Sequence, residues 1–398
     1  MSVCLKSSIL DVYSRYDFVP VKAKSVYLYD KDGKKVLDFL GGVAVNVLGY
    51  KNKIVENAIK KQVKRGFYSQ SNYYCNNEAE ELAEKLCKVS GIENGKVFFQ
   101  NSGAEANECA IKIARKWFNT IHNTKYNEII CMTNAFHGRT MATISATMRE
   151  KLTNGFEPLL EGFKIAEFNN IESVKQAINE NTCAIMLETI QGEGGILPCE
   201  KQFMQDLRKL CDEKNILLIL DEIQCGNGRT GKYFAYQHYG ILPDILTIAK
   251  GLAGGLPIGV CIVKDEVGKY MTKGSHGSTF GGNALCCCAG NACIDELSKQ
   301  QFLSNVEQMG KYLKTELEKL IAKFPNILKS VSGIGLMLGL TIDDKIEAKK
   351  VAEKLLENGL SCCTAGGNQI RFLPPLIIKK QHIDEAIKII EKTIIGLM

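Results

Sequence analysis

The chain has 398 residues, 45% of them hydrophobic and 24% charged, a globular composition long enough for two or three domains of ordinary size. Lysine and arginine number 50 against 44 acidic residues, and this small, dispersed excess argues against a nucleic-acid binder. No apolar run reaches the roughly 18 residues that a membrane helix needs; the nearest, 252–263, contains three glycines and a proline.

The opening residues, Met1-Ser2-Val3-Cys4-Leu5-Lys6, show neither an apolar signal core nor an arginine-rich presequence. Sixteen cysteines are present, some adjacent (Cys286-Cys287-Cys288, Cys362-Cys363), with no C-x-x-C spacing. Such a set suits a reducing compartment and offers no zinc pattern. A cytoplasmic protein without a bound metal is therefore expected.

In chain order, Val26–Tyr29 and Val36–Phe39 flank a turn at Asp32-Gly33 and predict a small β element. Helical spacing follows at Ile54–Lys64 and Glu78–Lys88. Short apolar runs then alternate with helix-like stretches. The runs are Val97–Phe99, Ile129–Met132, Ala184–Leu187, Ile216–Leu220, Ile245–Ala249 and Val260–Val263; the helices include Ala104–Phe118 and Lys201–Lys214. Apolar strands separated by amphipathic helices predict an α/β fold, a parallel sheet covered on both faces. After a long helix at Ala284–Ser298 the pattern changes. Helices at Phe302–Lys323 and Ile346–Asn358, strands at Ile334–Leu340 and Ile370–Phe372, and a last helix from Asp384 read as a smaller α+β domain. The expected division is a large domain over 51–300 and a small one built from 1–50 and 301–398.

The segment Gly226-Asn227-Gly228-Arg229-Thr230-Gly231-Lys232-Tyr233 nearly matches two nucleotide motifs. A dinucleotide fingerprint needs its glycines to open a helix directly, and a phosphate-binding P-loop needs a small hydroxyl where Tyr233 stands. A glycine-rich loop shaped for backbone reasons is the better reading.

Four other features fall at the C-terminal ends of predicted strands, where open α/β sheets bind ligands. Asn101-Ser102-Gly103-Ala104-Glu105 opens a helix with backbone N–H groups free for an anion, although an ordinary N-cap reads the same way. Asp221 ends a fully apolar strand, where a carboxylate needs a partner, even if only a helix cap or internal ion pair. Lys250 stands between a buried strand and Gly251-Leu252-Ala253-Gly254-Gly255, a place where desolvation lowers an amine's pKa. Phe136-His137-Gly138-Arg139-Thr140 offers an aromatic face and a guanidinium, whose plainer roles are packing and a surface pair. Together an anion cradle, a buried carboxylate, a desolvated lysine and a flat aromatic answer the needs of pyridoxal 5'-phosphate.

On these residues the chain resembles the class III (ω-amino acid) aminotransferases of the fold-type-I pyridoxal-phosphate superfamily, within them the N-acetylornithine aminotransferases. The likeness runs nearly end to end, through 101–108, 136–140, Gln191-Gly192-Glu193-Gly194-Gly195, 221–231, 246–259, 276–283 and Arg371-Phe372-Leu373-Pro374-Pro375. It implies a Schiff-base and proton-shuttling role for Lys250, Asp221 at the pyridine nitrogen, Gln224 near the ring hydroxyl and Phe136 stacked on the ring. Ser102, Gly103 and Ala104 would cradle the phosphate. Thr279 would reach the phosphate in the neighbouring subunit, which implies a homodimer with shared active sites. Ser278 and Arg139 would contact N-acetylornithine, and Arg371 would grip the α-carboxylate of 2-oxoglutarate or glutamate. Glu193 would neutralise Arg371 whenever no dicarboxylate is bound, the device of a ping-pong cycle.

Val43 stands where ornithine aminotransferases carry tyrosine, which points to the acetylornithine branch; ornithine, succinyldiaminopimelate and 4-aminobutyrate remain alternative donors. Departures from the family pattern are Thr189 for proline, Cys225 for threonine, Tyr50 for histidine and Ala284 for proline, the last before Cys286–Cys288, which read as packing residues. Two readings outside this class fit the residues less well. A nicotinamide oxidoreductase built on 226–231 leaves Lys250 without a task. A silent interaction protein has no need of Lys250 and Asp221 together.

Overall fold

The computed structural model describes residues 8–398, so the reading of Met1–Lys6 lies outside the described residues. Seven strands form the central sheet, in the spatial order Lys96–Gln100, Gly259–Val263, Ile245–Ile248, Leu217–Asp221, Thr182–Glu188, Glu128–Met132 and Phe163–Ala166. All run parallel except Gly259–Val263, which pairs antiparallel with both neighbours. The sheet is thus mostly parallel, as expected, with one reversed strand that apolarity alone could not orient. Phe163–Ala166, an edge strand with half-exposed side chains, is an addition to the expected strands, because it carries no long apolar run to announce it.

Successive strand residues point to opposite faces, and the core divides accordingly. Ile130, Ile185, Leu218, Leu220, Leu246 and Ile262 face one cluster, which also takes the apolar side of helix Lys201–Lys214 through Phe203, Met204 and Leu207. Ile129, Ala184, Met186, Ile219, Ile245 and Cys261 face the other, with Ile113, Trp117 and Phe118 of helix Gly103–His122. Cys286 and Cys287 are buried in the first cluster, the packing role expected of them. Among the described residues every cysteine is an unpaired thiol, and no helix is long and apolar enough to cross a membrane.

A second sheet joins Lys22–Lys24, Tyr27–Tyr29 and Lys35–Asp38 to Leu360–Ser361, the last two parallel. A third orders Leu328–Ile334, Met337–Ile342, Gln369–Phe372 and Cys363–Ala365. The single strand expected at Ile334–Leu340 straddles a hairpin instead: Gly335 has φ +59, and a Cβ there would lie 2.7 Å from the Thr230 backbone. The final helix, Lys380–Ile395, starts four residues before Asp384.

Candidate active site

A cavity of about 460 Å³ opens at the C-terminal ends of the parallel strands. Ser102, Gly103, Ala104, Phe136, Arg139, Asp221, Gln224 and Lys250 all line it. These were the residues that chain order had left up to about 150 positions apart.

The anion cradle is the start of helix Gly103–His122. Ser102 is its N-cap: its Oγ accepts from Glu105 N at 3.2 Å and donates to Glu105 Oε2 at 2.9 Å. Its hydroxyl is thereby committed to the helix, and the N–H groups of Gly103 and Ala104 remain for a ligand. A Cβ on Gly103 would meet Ile223 at 2.9 Å, so the helix start sits hard against the strand-end loop.

Asp221 is 4% exposed and paired with Glu188 and Thr247 in register. Its Oδ2 accepts from Asn107 Nδ2 at 2.8 Å and pairs with His137 Nδ1 at 2.9 Å; Oδ1 accepts from Ile223 N at 3.0 Å. Asn107 is itself fixed by Thr247 Oγ1 (2.7 Å) and by the His137 carbonyl (2.7 Å). Asn107, His137 and Thr247 received no role from the sequence, because only folding brings three elements onto one carboxylate.

Lys250 follows a strand, at φ +44, with its amine in the cavity wall. Burial pushes its pKa down, and the Arg371 charge pushes it further; Glu193, Asp221 and Glu188 work the other way. Phe136 lines the same cavity, with the Arg139 guanidinium 5.7 Å from its ring centre. Glu188, which also lines the cavity, accepts from Phe136 N at 3.0 Å and from Gly192 N at 3.2 Å. Burial raises its carboxyl to about 7.

Arg371 is almost wholly buried, and its Nη1 meets Glu193 Oε1 at 2.5 Å, the Gly192 carbonyl at 2.8 Å and Gln224 Oε1 at 3.0 Å, while Nε donates to Cys363 Sγ at 3.2 Å. Burial alone would raise the Glu193 carboxyl, but Arg371 overrules it and holds that carboxyl below its ordinary value. The acid–arginine pair expected from the sequence is therefore present and closed. Gln224, by contrast, gives its side-chain oxygen to Arg371.

Ser278 and Thr279 lie outside this cavity, in a separate groove with Ser69, Asn72, Tyr73 and His276. Val43 is also off the cavity wall, packed against an apolar cluster that includes Ile190, Cys225 and Leu373; Val45 lines the cavity. Two departures turn out to be neighbours. Thr189 Oγ1 donates to Glu222 Oε1 at 2.6 Å and Cys225 Sγ to Oε2 at 3.4 Å, while Ala235 N and Tyr236 N complete the fully buried carboxylate. A hydroxyl lost at 225 is thus matched by one gained at 189. Tyr50 OH donates to the buried Asp38 at 2.6 Å, and Ala284 opens its helix behind the Asn283 cap.

The fit to pyridoxal phosphate rests on this geometry: free N–H groups at a helix start, a carboxylate with lone pairs to spare, an aromatic plane and an amine of lowered basicity share one cavity. Residues 11–394 match the Aminotransferase class-III family. The acetylornithine aminotransferase of Methanocaldococcus jannaschii is 46% identical over 96% of this chain and 95% of its own length. That of Aquifex aeolicus is 45% identical over 96% and 99%. Among solved structures, the ornithine aminotransferase of Toxoplasma gondii superposes with TM-score 0.93 at 31% identity, covering 98% of this chain and 93% of its own. The acetylornithine aminotransferase of Elizabethkingia anophelis gives 0.85 at 30%, covering 97% and 96%. The chain belongs to the class-III aminotransferases, a pyridoxal-phosphate-dependent enzyme with the fold-type-I architecture.

Proposed function

We propose that this enzyme transfers the δ-amino group of N-acetyl-L-ornithine to 2-oxoglutarate, giving N-acetyl-L-glutamate 5-semialdehyde and L-glutamate, a step of arginine biosynthesis. The observation that carries the reading is the Arg371–Glu193 pair coupled electrostatically to Lys250. A carboxylate site that the protein itself fills suits two unlike partners in turn: an ω-amine with no carboxylate beside its reacting carbon, and a dicarboxylate that displaces Glu193. The name shared by relatives aligned over nearly their whole length supports the same donor.

Pyridoxal phosphate, when bound, supplies the electron sink and carries the amino group between the two half-reactions. Lys250 would hold it and afterwards move a proton at Nζ. Asp221, steadied by Asn107 and His137, would keep the pyridine nitrogen protonated. Gly103 and Ala104 would take the phosphate with their N–H groups, Ser102 would hold that helix start, Phe136 would cover the ring and Gln224 would adjoin its hydroxyl. Arg139 and Ser278 would receive the acylated end of the donor, and Arg371 the α-carboxylate of 2-oxoglutarate.

The same reading includes a homodimer. Thr279 is exposed in its groove, and Tyr68, Tyr73, Tyr74 and Phe280 expose apolar surface near it, a patch that a second copy would cover while placing Thr279 at its partner's phosphate. It also includes the division into a 51–300 unit and a smaller one from 1–50 and 301–398, supported by the pairing of Lys35–Asp38 with Leu360–Ser361, and a reducing cytoplasmic setting, which suits the free thiols.

The absorbance spectrum of the purified enzyme tests the reading. A visible cofactor band that N-acetylornithine shifts without any keto acid is expected. A band that responds only to ornithine, succinyldiaminopimelate or 4-aminobutyrate removes the donor and keeps the class; no band after supplying pyridoxal phosphate refutes the whole reading.

A further inference from the structure

The glycine-rich loop 226–231 resembles a nucleotide motif and lies outside the cavity lining, yet it carries the largest fully buried polar side chain among the described residues. Arg229 is 0% exposed. Its Nη1 donates to two backbone carbonyls, Leu336 O at 3.2 Å and Pro374 O, and its own carbonyl accepts from Leu336 N at 3.0 Å. Among the described residues no carboxylate forms an ion pair with it. Nε and Nη2 are buried without a hydrogen-bond partner among the described residues, and burial pushes the guanidinium down to about 9, with only the field of Asp38 opposing. A buried charge held by carbonyls alone is a costly way to fill space. What it holds is therefore informative: Leu336 is the turn of the C-terminal hairpin, and Pro374 stands three residues after Arg371.

Two positions earlier, Asn227 is 2% exposed and its Nδ2 donates to Ala249 O at 2.9 Å, the carbonyl immediately before Lys250. The loop is stiff where it carries these arms. Asn227, Gly228 and Gly231 have φ of +55, +82 and +87. Gly228 N and Gly226 N are bonded to Tyr233 O (3.0 Å) and Glu222 O (2.9 Å). The glycines serve this tight course rather than a phosphate.

We propose that the 226–231 loop is a two-armed brace, with Asn227 fixing the strand end that carries Lys250 and Arg229 fixing the segment that follows Arg371, so that the loop sets the spacing between the amine and the carboxylate-gripping guanidinium. Arg229 and Asn227 are then positioning residues, and the brace determines which dicarboxylate chain length fits between the two groups. The kinetic form of this inference rests on the role proposed for Arg371.

Chain-length selectivity is the readout, because loss of stability alone leaves it in place. For folded, cofactor-loaded Arg229→Met, the ratio of kcat/KM for 2-oxoglutarate over oxaloacetate and over 2-oxoadipate should fall at least about ten-fold, since a misplacement near 1 Å can cost a hundred-fold in rate. Arg229→Lys, able to reach one carbonyl, should recover part of the ratio. An unchanged ratio overturns the brace, whatever happens to stability. If neither arginine variant folds, Asn227→Ser carries the same test: a fall supports the brace and no change overturns it. If the wild-type enzyme uses none of the three keto acids, the function reading fails on its own. The brace is then decided by the crystal structure of Asn227→Ser: an altered Lys250–Arg371 Cα separation supports it, and a preserved one overturns it.

Discussion

Replacing Glu193 by glutamine separates the two substrates of the proposed cycle. In the present structure its carboxylate accepts a hydrogen bond from Arg371 Nη1 at 2.5 Å, and Arg371 retains the Gly192 carbonyl, Gln224 and Cys363 as neutral partners. A dicarboxylate must therefore break one charge-assisted bond before it can form its own. Such a bond contributes about 1.5–3 kcal/mol when sheltered, but the Glu193 side chain is 31% exposed, so solvent screening reduces this to about 1–2 kcal/mol. At about 1.4 kcal/mol per ten-fold, Glu193→Gln should tighten 2-oxoglutarate and glutamate binding by about 5–30-fold. The donor half-reaction should lose efficiency over a similar range, because Arg371 now meets the ω-amine unneutralised. Rapid-mixing measurement of each half-reaction separately, following the cofactor absorbance, gives both numbers. Weaker or unchanged dicarboxylate binding would refute the gate.

Lys250 loses basicity first through burial and then through Arg371; apo-enzyme should therefore capture pyridoxal phosphate with a pH midpoint below that of a free lysine, and Arg371→Gln should move the midpoint upward, whereas a downward move would contradict the electrostatics. Thr189→Val keeps the shape but leaves Glu222 one donor short, at a cost of about 1–3 kcal/mol; the unfolding midpoint should drop, and Cys225→Thr in the same chain should restore part of it by returning a hydroxyl to the other oxygen. For the shared-site dimer, co-expressing Lys250→Ala with a Thr279→Glu chain should regenerate about one quarter of the wild-type sites by random pairing; activity no greater than either parent's would exclude shared sites.

Much of the architecture is legible locally. Period-two burial places Ile129 and Ile130, or Ile219 and Leu220, on opposite faces, and fully buried strands such as Leu217–Asp221 must read as unbroken apolar runs. A charge at the end of such a run, Asp221 or Lys250, stands out because its desolvation needs a reason. Those signals are carried by neighbours in the chain.

What the tertiary structure decided lies between distant residues. The direction of Gly259–Val263 depends on its two neighbours rather than on its own composition, and the hairpin at Gly335 depends on the close approach of Thr230. Gln224 serves Arg371 because a strand 147 residues away ends beside it, and Thr189 and Cys225 acquire a common purpose only around the Glu222 carboxylate. The loop 226–231 mimics a phosphate motif because tight turns of any purpose need glycine. Its partners, Ala249, Leu336 and Pro374, are where its actual work is written. Local chemistry selects which side chains must be paired when buried. Folding alone chooses the partner, since that choice is made by contacts with no sequence period to announce them.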